Sequence, residues 1–105
     1  MKIAITSTGD TVNSTIDSRF GRCTFFAIHD TETKSTEFFI NPSKEAQEGA
    51  GPAAVQFVAA HKVSKIVSGE FGMKIKSLFE SLNIEMIINK DSASKITDVI
   101  ELYKQ

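Results

Sequence analysis

The stretch KIVSGEFGMKIKSLFESLNIEMII, residues 65–88, decides the fold class. Lys65 to Ser68 is a short apolar run of strand length, and Gly69-Glu70-Phe71-Gly72 is a turn. Phe71, Ile75, Leu78, Phe79 and Leu82 then recur at helical spacing, the strongest periodic signal in the chain. They predict a helix with one apolar face. Asn83 suits the end of that helix, because asparagine tolerates the left-handed conformation a helix stop uses. Ile84 to Ile88 reads as the next strand. A strand, a helix of this length and a strand predict two parallel strands joined by a right-handed crossover.

Working outward, Pro52 reads as the first residue of an earlier helix, capped by Gly51 and running to about His61. Ala54, Phe57 and Val58 form its inner face. A third helix is expected from Ser92, with Ile96, Val99, Ile100 and Tyr103 turned inward. Upstream, Lys2 to Ser7, Thr24 to Asp30 and Lys34 to Ile40 read as strands. In the second of these, Phe26 and Ile28 share one face, while Phe25 and Ala27 share the other. The tight connection Thr31-Glu32-Thr33 makes the second and third strands an antiparallel hairpin. Lys44 to Gly51 is a charged loop whose segment 43–48 is expected to be mobile, with Ala46 its one apolar anchor. The order β-β-β-α-β-α-β-α predicts a single α/β domain, residues 1–105, with a mixed sheet.

Composition narrows the function. The 105 residues carry a formal net charge of -1 with a sequence pI of about 6.1. No basic stripe marks a phosphate-binding footprint, so nucleic acid is not expected as a partner. No apolar run approaches the roughly 18–20 residues that span a bilayer. The first residues enter a strand pattern directly, without a leader-like apolar stretch, so a cytoplasmic location is expected. One cysteine forms no internal disulfide and cannot supply a four-cysteine iron–sulfur site or an all-cysteine zinc site.

Candidate chemistry gathers in Ile16-Asp17-Ser18-Arg19-Phe20-Gly21-Arg22-Cys23, a loop near the end of the first strand. Loops at strand ends of α/β sheets are where ligands bind. Arg19 and Arg22 offer planar, charged donors for an anion, or else are solvated charges paired to Asp17 or Asp10. Cys23 is either a small buried apolar residue or a thiolate activated by the two arginines. Gly49, Gly51, Gly69 and Gly72 precede helix starts, where backbone amides attract anions and where glycine also serves plain turn chemistry. Lys74, in the first turn of its helix, reaches the same region. His29 shares a face with Cys23 by strand parity, and His61 suits a helix C-terminus. Met73 and Met86 read as core filler. The centre of the first strand, Ala4-Ile5-Thr6, holds no acid, and Asp10, Asp17, Asp30 and Glu70 form no recognisable catalytic pair. A non-enzyme is expected.

Several of these features together resemble one family. The strand order, the Asp17…Phe20-Gly21 loop, Asn41 after the third strand, Gly49 and Gly51 before the first helix, and Ser68-Gly69…Gly72 before the second are similar to the dinitrogenase iron–molybdenum cofactor biosynthesis family. That is the domain type of NifX and of the C-terminal part of NifB. The resemblance covers nearly the whole chain. It implies a ribonuclease H-like α/β fold, with a five-stranded mixed sheet ordered 3-2-1-4-5 and three helices. It also implies transient binding of iron–molybdenum cofactor or its iron–sulfur precursor, and partners among cofactor-assembly proteins. Family members commonly read His-Phe-Gly in the first loop, and here Arg19 stands in place of that histidine. The expected site is therefore Arg19, Gly21, Arg22, Cys23, Gly51 and Gly72, with Cys23 as the soft metal ligand. The competing expectations are a protein-interaction module without a cluster and, further off, a metal-dependent phosphotransfer enzyme.

Overall fold

The computed structural model describes residues 1–103. Its elements are β1 (Lys2–Ser7), β2 (Phe25–Asp30), β3 (Ser35–Ile40), α1 (Ala50–Ala60), β4 (Lys65–Ser68), α2 (Met73–Ser81), β5 (Glu85–Ile88) and α3 (Ile96–Leu102). The five strands form one sheet in the order β3-β2-β1-β4-β5. β2 is antiparallel to both β1 and β3, whereas β4 is parallel to β1 and β5 is parallel to β4. The mixed sheet read from the hairpin and the two crossovers is the one observed.

The strand parities separate two cores. Ala4, Phe26, Ile28 and Ile66 face α1 and α2, joined by Ala54, Val55, Val58, Ile75 and Phe79. Ile3, Ile5, Ala27 and Val67 face the other way, where Ile96 and Val99 of α3 cover them. Two helices thus lie on one face and a single short helix on the other. The first core is aromatic: Phe20 sits 5.2 Å from Phe79 and 5.7 Å from Phe71, ring centre to ring centre. Such tilted and edge-on pairs add to the apolar burial.

Three local expectations are corrected. α1 starts two residues before Pro52, because Gly49 takes the left-handed conformation at the cap (φ 72°) and lets buried Ala50 enter the helix. Pro52 still fits, since residues in a first helical turn need no backbone donor. α3 starts at Ile96 rather than Ser92. Residues 94–97 instead hydrogen-bond the loop after β1, Ile16 N–H to Ser94 O (3.0 Å) and Ile96 N–H to Ser14 O (2.9 Å). Along α2, Phe71, Ile75 and Phe79 are buried as expected, but Leu82 is 44% exposed at the cap, where the helix has already turned away. Asn83 does take the left-handed stop, φ 58°. In segment 43–48, Ser43 is buried and Lys44 Nζ donates to Thr24 Oγ1 at 3.2 Å, while Glu45, Gln47 and Glu48 are exposed.

Phe79 is fully buried among Phe20 and Phe71. Phe79→Ala is expected to cost about 3–5 kcal/mol in denaturant melts, and Leu82→Ala less than about 1 kcal/mol. Equal losses for the two would show that α2 packs on a different face.

Candidate functional site

The chain from Thr8 to Thr24 crosses the carboxyl ends of the parallel strands, and its polar backbone is bonded as it passes. Asp17 N–H donates to Thr6 O at 3.0 Å, and Thr6 Oγ1 donates to Asp17 O at 2.6 Å. Gly69 N–H reaches that same carbonyl at 3.3 Å. A Cβ on Gly69 would fall 2.5 Å from Ser18 Cα, so only glycine lets the loop cross there.

Further along, Asn41 holds the loop from the other side. Its Nδ2 donates to Gly21 O (3.1 Å) and Cys23 O (3.0 Å), and its Oδ1 accepts from Ser43 N–H at 3.0 Å. Gly21 lies backbone to backbone on the start of α1: a Cβ there would meet Gly51 Cα at 3.1 Å. A Cβ on Gly51 would in turn meet Ile75 Cδ1 at 2.6 Å. Gly21, Gly51 and Asn41 are therefore packing and clasping residues, and Gly51 lies inside α1 instead of ahead of it.

The arginines part company. Arg22 Nη1 donates to Lys44 O at 2.9 Å and also to Ala46 O, so it ties down the 43–48 loop. Arg19 turns the other way and pairs with Asp17: Nε lies 3.3 Å from Oδ1, and Nη2 lies 3.4 Å from Oδ2. The Asp17 side chain is 5% exposed, whereas that of Arg19 is 58% exposed. The bond to Asp17 raises the already high Arg19 pKa. The two arginines do not form one clamp.

Cys23 is a core residue, fully buried beside Phe20 and Phe26. Its thiol lies 3.4 Å from Phe20 O. Burial, aided by the charge of Asp17, pushes the thiol from an ordinary 9.0 up to about 12. A neutral, enclosed thiol is not a ready metal ligand. His29 does not share its face: the register sets His29 against Ile3 and Thr36, on the α3 side. The parity argument fails because the chain leaves the strand conformation before Phe25. Gly72 caps α2 in open space, with nothing within 4 Å of an added Cβ.

What the fold does bring together is a crevice of about 480 Å³ at the carboxyl ends of β1, β4 and β5. Thr8 and 15–19 form one wall, Gly69 and Glu70 the floor, and the connection 89–92 the other wall. Of the expected site residues, only Arg19 lines it. Its groups are hydroxyls, amides, the cations Arg19 and Lys90, and the carboxylates of Asp17, Glu70 and Asp91. Asp17 is already engaged by Arg19, and Asp91 Oδ1 accepts from Ala93 N–H at 2.9 Å. No cysteine or histidine lines the crevice, and among the described residues no three histidine, cysteine or carboxylate groups are placed to hold a metal ion. What the lining offers a bound group is hydroxyls, amides, Lys90 and the half-exposed guanidinium of Arg19, beside the carboxylates. These groups do not fit a bare cation or a thiolate-ligated centre. The sequence reading missed Asn89, Lys90, Asp91 and Ser92. The available signal was positional: a polar connection directly after a parallel strand faces the sheet's binding edge.

The family model for dinitrogenase iron–molybdenum cofactor proteins matches residues 1–105, and the chain belongs to that family. No curated protein matches it. Among solved structures, the apo orange protein from Desulfovibrio gigas aligns with a TM-score of 0.90 and 24% identity, over 97% of this chain and 85% of that one. A NifB-type protein from Thermotoga aligns at 0.79 and 23%, over 97% and 85%. At these identities the likeness concerns the fold.

Two outcomes follow from the clasp and the buried thiol. Asn41→Ala strands two carbonyls and is expected to lower stability by about 2–4 kcal/mol in denaturant melts. The native fold keeps a Cys23 proton that the unfolded chain loses above pH 9.0, its thiol being held up to about 12. The unfolded state then binds fewer protons, so the contribution is intact below that pH and fades as pH rises toward the native value. Thiol labelling at pH 8 is expected to be slow in buffer and fast in denaturant. Rapid native labelling would show that the thiol is exposed.

Proposed function

We propose that the protein is a non-catalytic carrier of an anionic metal–sulfur cofactor, either iron–molybdenum cofactor or an iron–sulfur precursor, taken up as cargo and handed between assembly proteins. The crevice beside Arg19 carries this reading. It lies at the carboxyl edge of the parallel strands, where such sheets bind ligands, and its volume is that of a small-ligand site. A preassembled cluster supplies its own sulfides, so the protein needs to offer positive charge and hydrogen-bond donors. Arg19 and Lys90 provide the charge, while Ser18 and Ser92 provide hydroxyls at the walls. Arg19 offers this cargo a charged fork in place of a coordinating side chain.

Within this reading the sheet is a ribonuclease H-like one put to binding, in the cytoplasm. No helix among the described residues is long and apolar enough to cross a membrane.

The test is anaerobic titration with isolated iron–molybdenum cofactor, read by absorbance and native mass. Arg19→Gln and Lys90→Gln are each expected to weaken binding ten- to a hundredfold, about 1.5–3 kcal/mol, with tighter binding at low salt. Cys23→Ala is expected to bind like the parent. If Cys23→Ala abolishes binding and Arg19→Gln does not, the cluster sits at the thiol and the crevice assignment falls. If the parent fails to bind, the carrier reading itself falls.

A further inference from the structure

A second cavity, of about 590 Å³, opens at the far side of the molecule and shares no residue with the crevice. It lies between α3 and the hairpin of β2 and β3. Val12, Ile100 and Tyr103 line it, together with Thr36, Thr97 and Lys34. His29 also faces it. This histidine is only 6% exposed. Its Nδ1 is 2.8 Å from Thr36 Oγ1, and Nε2 has no partner among the described residues. Since no buried side-chain nitrogen or oxygen among them is left without a partner, Nε2 is open to the cavity.

An imidazole nitrogen that opens into a mostly apolar cavity offers a hydrogen-bonding group to whatever occupies it. Charge gives the sign of the partner. Lys34 lines the cavity, and no aspartate or glutamate does. The nearest acid acting on His29 is Asp30, outside the lining. Lys34 is held in a left-handed turn (φ 61°) between the strands, which fixes where its side chain leaves the backbone. The hydroxyls of Thr36 and Thr97 and the ring of Tyr103 complete a site of the usual ligand kind, mostly apolar with a few polar groups.

We propose that this cavity binds a small apolar carboxylic acid, with its hydrocarbon or aromatic body against Val12, Ile100 and Tyr103 and its carboxylate on His29 Nε2 and Lys34. Burial lowers the His29 pKa, so the free protein presents a neutral ring at pH 7. With Thr36 as donor to Nδ1, that ring offers Nε2–H to the carboxylate. The site is independent of the cofactor crevice, and its failure would leave that reading untouched.

The experiment is a nuclear magnetic resonance titration of the isotope-labelled full chain with phenylacetate, and in parallel with phenylacetamide, its neutral analogue. Phenylacetate is expected to give saturable shifts confined to Thr36, Thr97, Tyr103 and the His29 ring, and phenylacetamide to bind about tenfold more weakly or worse. His29→Gln and Lys34→Asn are each expected to weaken phenylacetate by about tenfold. Asparagine keeps the left-handed turn, so Lys34→Asn decides the matter even if His29→Gln folds poorly. Three results would overturn the proposal. These are shifts that do not saturate or that scatter over the surface, equal affinity for the amide, and parent-like binding by Lys34→Asn.

Discussion

Everything at the functional end of the molecule depends on one constraint. A loop of irregular backbone crosses the edge of a buried sheet, and its polar groups must be bonded there. Regular structure cannot satisfy them. Side chains and single turns do so instead: Thr6 holds Asp17, Asn41 holds Gly21 and Cys23, and Gly69 offers its N–H to the same Asp17 carbonyl. Because a buried group left without a partner costs about 1–3 kcal/mol, these bonds fix the path of the loop together with its buried Ile16, Phe20 and Cys23. Arg19 stands where it does because Asp17 is fixed first.

That constraint changes the meaning of the motif residues. Asn41, Gly21, Gly51 and Gly69 look like a scattered ligand set when read along the chain. In space they are the parts of a clasp. Asn41 spends both ends of its amide on the loop and on the turn at Ser43. Gly21 and Gly51 allow two backbones to touch, with Ile75 pressed against the second. The residues that meet solvent in the crevice lie on the walls between these fixed points. The side chains that line the crevice can therefore be exchanged without breaking the bonds of this frame, Asp17 and its pair Arg19 apart.

The fold was legible because its signals are periodic. Phe71, Ile75 and Phe79 repeat at helical spacing, and the alternation of Phe26 with Ala27 names two faces whatever the tertiary context. Leu82 obeys the same spacing and is exposed, because periodicity does not say where a helix ends. The site was less legible, since it depends on which way side chains leave a loop. Arg19 and Arg22 are three apart in sequence, yet one turns to Asp17 and the other to the carbonyls of Lys44 and Ala46. Cys23 looks activated beside two arginines. It is instead sealed among phenylalanines, where its proton is held up to about 12. Lys90 was overlooked because no motif marks it.

The crevice traces to one feature of the chain. The segment 12–16 bonds to residues 94–97 in ladder fashion, and the bridge between Thr15 and Lys95 continues the pairing. This pairing uses the residues that would otherwise extend α3 backward, so the helix begins only at Ile96. The connection 89–95 is thereby left as a standing wall, which makes a crevice of what would be an open sheet edge. The second cavity runs alongside α3, whose Thr97, Ile100 and C-cap Tyr103 line it from one end to the other. Across it stand His29, Lys34 and Thr36 of the β2–β3 hairpin. A helix begun at Ser92 would take up residues 92–95 and remove that wall from the crevice.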